Sequence, residues 1–553
     1  MASKPIPTAV DAVVVGNGPS ALILSYILHG HTPYYNPSTP HPDPILHRKL
    51  SASPCLLDVD IVDFTAHFAA SRLSYSTQAL PVNVLLDTLL RPLSDTEPGK
   101  HESCVEWRFE EERRVRHVVL GNTPQAGGQW ADNPVSASWD IGTLSYSEML
   151  SLPGYTFGQH YKKIQGRPVS VFYRPTRREV AAYLAVYPTT VGIQDCVYTN
   201  VEVSDIRRLD EGFHIGSHDI TCRNLVLSSG TFSNLIPPRA ALQPLNALSD
   251  PKIVGGAPLL VVGSGFTAAD VIISTPPNRK IIHIFKWDPE NNPSPLRACH
   301  PRAYPEYASV YRHMKHAARD MLGSQTVTSP MRGRKSNPFF KDRDWEEIYE
   351  GLPNTYIKAV EMKDASALLT LAASDGRCIK REISNMEYVI GRRGSLAYVD
   401  NGIAKEMDCL GEGTPIALAS VSGMTLRSKL EQNLSIAQDI FVTGSLTGDS
   451  LIRFAYGACV YAARELGRAS RPTSITTESS SDNSSESLST APSSPSSSTA
   501  APPAVSTSAL IPRSRHSDLH ADKKMRALSV DHGKTRRELW PEPGWRAGGC
   551  VVL

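Results

Sequence analysis

The sequence lacks several features that would mark a secreted, zinc-binding or membrane-spanning protein. Its nine cysteines form no Cys-x-x-Cys pair and show no zinc-site spacing. This excludes a redox-active disulfide of that type and predicts reduced, mostly buried thiols. No apolar run reaches the roughly 18 residues of a membrane span, and no signal peptide precedes the first apolar run. We therefore expect a cytoplasmic protein.

The sequence also lacks an excess of charge of either sign. Its 57 lysines and arginines nearly balance 55 aspartates and glutamates, for a net charge of +2. Because nucleic-acid-binding proteins usually carry a basic excess, we expect no nucleic-acid partner. At 553 residues and 41% apolar composition, the chain is long enough for about three domains with a large core.

The chain does contain an apolar strand that runs into a glycine turn, in "DAVVVGNGPSA". Gly16 suits the tight turn from strand to helix, Gly18 lets a backbone approach a pyrophosphate, and Ala21 lets helix and strand pack closely. Pro19 fits the first helical position, where its missing N–H is not needed. The N–H groups at the helix start are then available to bind phosphates.

A second copy of this pattern, "PLLVVGSGFTAAD", begins its turn at Gly263, about 250 residues after the first. Gly265 and Ala268 take the places of the second and third small residues. A single copy is also typical of an ordinary tight turn in an α/β sheet. Two copies, each between a predicted strand and a predicted helix, favour two sites for dinucleotides. The predicted fold is therefore α/β, with two Rossmann-like domains.

The order of the segments resembles that of flavoproteins with two dinucleotide-binding domains. The resemblance implies FAD in an outer domain and a nicotinamide cofactor in a domain inserted into it. After Ser470 the composition becomes serine-rich and then basic, which predicts a disordered tail. The predicted boundaries are 10–254 and 391–467 for the two parts of the FAD domain, 255–390 for the NADPH domain, 468–511 for the serine-rich linker and 512–553 for the basic tail.

The segment "HVVLGNTPQAGGQW" (117–130) is similar to the Gly-Gly-x-Trp segment of flavin-containing monooxygenases, through Gly127, Gly128 and Trp130. In those enzymes the segment follows the second strand of the FAD domain. The resemblance implies that about 90 residues are inserted before that strand here. The family ends the strand with an acid that binds the FAD ribose, but the matching position is Gly121, with Asn122 beside it.

The residue that binds the ribose therefore remains open at this point. Asn122 offers hydrogen bonds without a charge, and Asp58 and Asp60 are alternatives. A second acid, Asp449, follows Gly448 after the last predicted strand. In related flavoproteins an aspartate there contacts the ribityl–phosphate part of the flavin. The alternative is an ordinary helix N-cap, which aspartate favours in any protein.

The inserted domain carries one indication of its cofactor. Its second strand, "KIIHIFKW", reaches Lys286, 23 positions after Gly263. An acid at this place suits the ribose hydroxyl of NAD, whereas a basic residue suits the 2′-phosphate of NADPH. The alternative is a solvated lysine at a strand end, with Asp288 and Glu290 diluting its charge. We favour NADPH.

Between about residues 10 and 467, the motifs together resemble the oxidative stress-induced growth inhibitor family, which is related to flavin-containing monooxygenases. The resemblance implies an FAD- and NADPH-dependent monooxygenase that uses oxygen and a small-molecule substrate and takes part in restraint of growth under stress. We predict no catalytic side chain and no metal, because the cofactor carries the chemistry. His41, His117 and His283 are expected in strands or turns. These motifs are "VVVGNGPSALILSYILHG", "HPDPILHRKL", "LLDTLLRP", "HVVLG", "GGQW", "AYPEY" and "GDSLIRFAYGA".

One departure from the monooxygenases favours a different function. Their Phe-Gly-His motif before the second glycine turn has no counterpart in "QPLNALSDPKIVGG" (243–256), which contains no histidine. The alternative function is therefore that of a catalytically degenerate flavoprotein fold that acts in regulation, through interaction or sensing.

The chain ends in "CVVL", a pattern for prenylation at Cys550 in which the terminal leucine favours a geranylgeranyl group. Basic residues upstream would supply the second signal that stable attachment needs. This predicts attachment to a cytosolic membrane face. The alternative is an accidental apolar C-terminus.

Overall fold

A computed structural model describes most of the predicted core. The described residues are 4–60, 63–66, 79–94, 102–248, 257–321, 343–409, 416–430 and 434–470. The predictions for the basic tail and Cys550, and for the serine-rich linker beyond residue 470, lie outside them. Among the described residues, no helix has both the length and the apolar character needed to cross a membrane.

The first sheet is built around a fully buried central strand, β1. Val13 and Val14 are inaccessible to solvent, as expected for a parallel strand covered on both faces. In this sheet, five parallel strands lie in the order β19 (Ile440–Val442), β8 (Ile220–Leu227), β1 (Ala9–Val15), β4 (His117–Leu120) and β5 (Val197–Tyr198). Strand β18 (Ser435–Ala437) pairs antiparallel with β19, and the ribbon of β6 (Ile206–Arg208) and β7 (Phe213–Ile215) extends from β8.

The second sheet has four parallel strands in the order β12, β11, β10, β16. A separate antiparallel sheet, β13–β14–β15, covers one face, where Leu369 and Leu371 join the buried cluster of Leu260 and Ile282. The strands of these two sheets are β10 Leu259–Val262, β11 Ile281–Phe285, β12 Tyr349–Pro353, β13 Tyr356–Met362, β14 Ala367–Ala372, β15 Cys378–Ile383 and β16 Asn385–Tyr388.

The strands of the first sheet come from both sides of the second sheet in the sequence. The chain leaves the first sheet through β9 (Asn234–Leu235) and returns through β17 (Arg392–Arg393), and these two strands pair antiparallel. One Rossmann-like unit is therefore inserted in another, which confirms the predicted fold class. The exact domain boundaries stay predictions.

Residues 29–116 form the insertion expected in the first Rossmann-like unit. Their described parts include an antiparallel pair, β2 (His31–Tyr35) and β3 (Val105–Phe109), and the helices α2 (Pro44–Ala52) and α3 (Pro81–Leu90). The strand that pairs parallel with β1 is β4, with Val15 opposite Leu120. This confirms that "HVVL" is the second strand of the unit.

Helices cover both sheets, and two of them begin at the glycine turns. Helix α5 begins with the predicted capping box, in which Thr176 and Glu179 bond to each other's backbone N–H. Helix α1 lies on the first sheet and contacts α11. The remaining helices are α1 Pro19–Leu28, α4 Phe157–Gln165, α5 Arg177–Thr190, α6 Phe266–Ser274, α7 Pro305–Met321, α8 Trp345–Ile348, α9 Asn401–Cys409, α10 Gly423–Leu430 and α11 Tyr456–Ser470.

Candidate dinucleotide-binding sites

The first glycine of the first turn is required by the fold itself. Gly16 has φ of 111°, and a Cβ on it would lie 2.4 Å from the carbonyl oxygen of Ser228. Its N–H donates to the carbonyl of Leu120 at 2.7 Å. Ala21 is fully buried, so helix α1 packs closely on the sheet. The turn thus joins the carboxyl ends of β1, β4 and β8.

The second glycine of this turn has no such structural requirement. Gly18 is the N-cap of α1 with φ of −75°, and Pro19 follows at the first helical position. A Cβ on Gly18 would meet no atom within 4 Å. Because neither its backbone conformation nor its neighbours demand glycine, the open space fits a ligand that approaches the backbone.

The Gly-Gly-x-Trp segment lies directly against this turn. Gly127 donates its N–H to the carbonyl of Asn17 at 2.9 Å. Gly127 and Gly128 have φ of 124° and 56°, and a Cβ on Gly128 would lie 3.0 Å from the Cα of Gly18. Trp130 is partly buried against the core. The structure therefore brings together residues more than 100 positions apart that we predicted to bind FAD.

The missing ribose acid has a packing explanation. A Cβ on Gly121 would lie 2.1 Å from Cγ of Asn17. The Asn17 side chain is itself held in place, because its Oδ1 accepts a hydrogen bond from the Thr123 hydroxyl at 2.8 Å. An acid at position 121 is therefore sterically excluded. Asn122 is exposed at the carboxyl end of β4, so its predicted ribose contact is sterically open.

The two alternative acids have partners within the insertion. Asp58 forms an ion pair with Arg113, whose Nη2 lies 2.7 Å from Oδ2. Asp60 accepts a hydrogen bond from the N–H of Asp63 at 3.2 Å. Both acids are exposed, and none of the described contacts joins either of them to the glycine turn.

Asp449 is buried, and protein groups already surround its carboxylate. It accepts hydrogen bonds from Arg427 at 2.7 Å, from the N–H of Leu80 at 2.8 Å and from Asn83 at 2.7 Å. Leu80 is the N-cap residue of α3. The carboxylate therefore stabilises the start of a helix far away in the sequence, rather than a helix that follows Asp449. Its predicted contact with the flavin stays a prediction.

The segment before Asp449 nevertheless reaches helix α1. A Cβ on Gly444 would lie 2.5 Å from Oγ of Ser20, and Gly448 adopts φ of 89° at the end of the same short turn. Ser228 and Thr443 follow β8 and β19, and their buried hydroxyls have no hydrogen-bond partner among the described residues. This edge of the first sheet thus offers free hydroxyls and backbone N–H groups, the donor set that a phosphate or ribityl chain needs.

The two glycines of the second turn differ in the same way as those of the first. Gly263 has φ of 152°, and a Cβ on it would lie 2.5 Å from the carbonyl oxygen of Val389. Gly265 is the N-cap of α6, and a Cβ on it would meet no atom within 4 Å. Ala268 is buried. One glycine is again required by packing, and the other leaves space for a ligand.

His283, in strand β11, forms a hydrogen bond with the backbone of the second turn. Its Nε2 donates to the carbonyl of Gly263 at 2.7 Å, and its Nδ1 accepts from the hydroxyl of Tyr349 at 2.8 Å. Burial lowers its pKa to about 4, so the ring is neutral near pH 7. The expectation that His117 and His283 lie in strands or turns is confirmed, because both lie in strands. Their hydrogen-bonding roles could not be read from the sequence.

Lys286 is exposed at the end of β11, as predicted. Immediately after it lies a cavity of about 420 Å³, which we call the Trp287 pocket. The pocket combines aromatic rings with three basic side chains, and sequence reasoning missed it because half of its lining comes from helix α7. Its lining residues are Trp287, Pro289, Glu290, Arg297, Tyr311, Lys315, Ala318 and Arg319.

The described residues include one group with potential metal ligands. His29, Asp195 and Cys196 place their ligand atoms within 4.8 Å of one another. However, Arg114 Nη2 lies 3.3 Å from the same His29 nitrogen that approaches Asp195. Burial also raises the pKa of the Cys196 thiol to about 12, which disfavours the thiolate that a metal requires.

Comparison with known proteins agrees with the resemblance that the motifs indicate. No protein-family model matches the chain. It is 28% identical over 504 residues to oxidative stress-induced growth inhibitor 1 of Mus musculus, covering 84% of this chain and 95% of that protein. It is 24% identical over 526 residues to oxidative stress-induced growth inhibitor 2 of Homo sapiens, covering 82% and 92%.

Among solved structures, a flavin-containing monooxygenase from Stenotrophomonas maltophilia covers 84% of this chain and 99% of its own, with 15% identity and a TM-score of 0.45. A thioredoxin reductase from T. acidophilum covers 84% and 99%, with 11% identity and a TM-score of 0.40. The fold assignment rests on the strand order and not on these alignments. The curated relatives confirm that the chain resembles the oxidative stress-induced growth inhibitors over most of its length.

Proposed function

We propose that this chain is an oxidoreductase of the monooxygenase type, with FAD at the first glycine turn and NADPH at the second. Its substrates are oxygen and a small molecule. The observation that carries the proposal is that the two glycines of each turn differ in the same way. Gly16 and Gly263 are fixed by neighbouring backbone, whereas Gly18 and Gly265 face open space.

The residues at the first turn fit FAD in both shape and chemistry. The N–H groups at the start of α1 bind the pyrophosphate, and Gly18 and Gly128 leave room for it to approach. Asn122 binds the ribose by hydrogen bonds without a charge. Trp130 holds the Gly-Gly-x-Trp segment against the core. Bound flavin would supply electron transfer from the nicotinamide to oxygen.

The residues at the second turn fit NADPH. The N–H groups at the start of α6 receive the pyrophosphate, with Gly265 leaving the approach open. Lys286 binds the 2′-phosphate, and the basic side chains of the Trp287 pocket add positive charge beside it. Trp287 and Tyr311 offer aromatic faces on which an adenine can stack.

The names of the relatives support a role in restraining growth under stress. A second candidate function has its own support. The packing of Gly121 on Asn17 excludes the ribose acid, which weakens one FAD contact. The alternative is a catalytically degenerate fold that regulates through interaction or sensing.

An absorption spectrum of the purified full-length chain in air, recorded before and after NADPH, tests the proposal. Bound flavin that bleaches and then reoxidises while NADPH is consumed supports the oxidoreductase. A colourless protein that stays inert with added FAD overturns it and favours the degenerate alternative. Flavin that binds but is not reduced by NADPH would confine the function to FAD binding.

A further inference from the structure

An exposed turn between α4 and α5 carries two large apolar side chains at its tip. Residues Ser170 to Tyr173 form the turn, in which the N–H of Tyr173 donates to the carbonyl of Ser170 at 3.2 Å. Val171 and Phe172 occupy its two central positions and are 66% and 57% exposed. Such positions usually carry glycine, proline or short polar residues. Two adjacent apolar side chains are therefore unusual at a tip that faces only water.

The backbone of Phe172 is also unfavourable for a bulky residue. Its φ is 60°, a left-handed conformation that glycine and asparagine adopt readily and large side chains rarely adopt. The Phe172 ring makes a T-shaped contact with Tyr146, with ring centres 5.2 Å apart, but more than half of the residue stays exposed. Folding alone therefore favours another residue here, whereas binding of the exposed ring to a second surface would account for phenylalanine.

The segments on both sides of the turn are anchored to the protein. Before it, Cγ1 of Val169 lies 3.6 Å from the position that a Cβ on Gly158 would take. After it, the ring centre of Tyr173 lies 5.1 Å from that of Tyr161. The side chains that flank the turn thus contact helix α4. The two apolar side chains between them form a projection at a fixed place on the surface.

The segment around the turn is basic. Residues 149–178 contain no aspartate or glutamate. Lys162 and Lys163, in the last turn of α4, and Arg167 are exposed. Within the described part of the chain, none of these three side chains forms an ion pair. An anionic surface can therefore approach them without displacing a carboxylate of the protein itself.

Two contacts place these cations beside the turn. Lys162 lies one helical turn after Gly158, on the face of α4 that Val169 contacts. Arg167 donates to the hydroxyl of Tyr161 at 3.4 Å, and the Tyr161 ring also packs against the last residue of the turn. The apolar tip and the cations are therefore parts of one surface, which we call the tip surface. Its residues are Lys162, Lys163, Arg167, Val171 and Phe172.

We propose that the tip surface binds an anionic lipid membrane, with Val171 and Phe172 at the boundary between headgroups and acyl chains. The basic side chains then lie at the level of the anionic headgroups. Such membranes attract lysine and arginine, and their interface accepts exposed aromatic and aliphatic side chains. A projecting tip fits a fluid surface, whereas a protein partner would need an apolar pocket rimmed with acids. The inference does not depend on binding of FAD or NADPH.

Co-sedimentation of the full-length protein with vesicles tests the proposal. The vesicles contain phosphatidylcholine alone or mixed with phosphatidylserine. We expect the wild type to bind the mixed vesicles, and the double variant Val171→Ser, Phe172→Asn to bind them about tenfold or more weakly, because apolar burial is lost. The matched control is Leu209→Ser, since Leu209 is also an exposed apolar residue in a connection but is followed by Asp210 and Glu211. This variant should bind like the wild type.

A second pair of variants tests the lysines. Lys162→Gln with Lys163→Gln removes two charges from the tip surface, and Lys358→Gln with Lys405→Gln removes two exposed charges elsewhere. The first variant should bind mixed vesicles more weakly by about fivefold per lysine, and added salt should reduce this difference. The second should bind nearly like the wild type. An equal loss in both would show that net charge alone drives binding and would overturn the assignment to the tip surface.

The single variant Phe172→Asn separates a membrane contact from a structural role. Asparagine adopts a φ of 60° more readily than phenylalanine, which offsets the loss of the contact with Tyr146. We expect a melting temperature close to that of the wild type together with weaker vesicle binding. A lower melting temperature with unchanged vesicle binding would assign Phe172 a structural role and overturn the proposal.

Phe172→Trp reports whether the tip enters the membrane. The emission added by this tryptophan should be quenched by mixed vesicles whose phosphatidylcholine is brominated on the acyl chains. Binding without quenching of the added emission would place the membrane contact elsewhere in the chain and overturn the proposal. A wild-type protein that binds neither kind of vesicle would also overturn it, and would leave an acid-rimmed protein partner as the occupant of the tip surface.

Discussion

Replacement of Gly18 by alanine separates the fold of the first turn from its use. Gly18 has φ of −75°, which alanine adopts without strain, and the added methyl group would meet no atom within 4 Å. Alanine at an ordinary φ stabilises by about 0.4–1 kcal/mol, whereas alanine at an N-cap is worse than glycine by about 0.5–1 kcal/mol. The two effects nearly cancel. We expect the free energy of unfolding to change by less than about 1 kcal/mol.

Affinity for FAD should fall much more than stability. The methyl group occupies the space through which the pyrophosphate approaches the backbone, so at least one hydrogen bond to a charged phosphate is lost. Such a bond contributes about 1.5–3 kcal/mol, which corresponds to a roughly 10- to 150-fold weaker affinity. The assay pairs urea unfolding with FAD titration followed by flavin fluorescence.

The matched control is Gly16→Ala, two residues earlier. Its methyl group would lie 2.4 Å from a backbone oxygen at φ of 111°, so we expect a loss of about 2 kcal/mol or more in stability. Wild-type FAD affinity in a stable Gly18→Ala protein would refute the reasoning about the ligand. Wild-type stability in Gly16→Ala would refute the reasoning about the packing.

Three further predictions concern buried and charged groups. Burial lowers the pKa of His283 to about 4, below the ordinary value of about 6.5, so the ring is neutral in the folded protein. The contribution of neutral His283 to the free energy of unfolding is therefore complete above about pH 6.5. It falls as the pH drops toward 4, by about 2 kcal/mol between pH 7 and 5. His283→Gln should flatten that slope in urea unfolding, and an unchanged slope would contradict the assignment. Lys286→Ala should reduce the preference for NADPH over NADH by about tenfold, and an unchanged ratio of dissociation constants would reject Lys286 as the 2′-phosphate ligand. Asp449→Asn should lower stability by about 3–5 kcal/mol, because it leaves Arg427 uncompensated; an unchanged urea midpoint would show that the pair is dispensable.

The features predicted from the sequence are those whose signal lies in a few consecutive residues. The glycine turns, the capping box at Thr176 and the strand His117–Leu120 each have their cause within about a dozen positions. Strand pairing then follows from the fold class, because parallel Rossmann strands place their carboxyl ends at one edge. That is why Gly128 and Gly18 could be predicted to share a site.

The features that could not be predicted depend on packing between distant segments. Asp449 bonds to groups more than 300 positions earlier, and the Trp287 pocket needs helix α7 to pass over the end of β11. In the sequence, the absence of the ribose acid is a departure from the pattern of flavin-containing monooxygenases. It is in fact a steric consequence of Asn17, because its side chain occupies the space beside Gly121.

The two candidate functions make different demands on the same residues. A degenerate scaffold would still need Gly16 and Gly263, because their positive φ and backbone contacts are requirements of folding. It would have no need for glycine at position 18, where serine or aspartate would cap helix α1 better. The chain has a glycine at this place although folding alone does not favour it, and the close approach of a phosphate group to the backbone would account for it. The proposed cofactor-binding function is therefore favoured over the degenerate scaffold. The uncharged Asn122 would then affect only the contact with the FAD ribose.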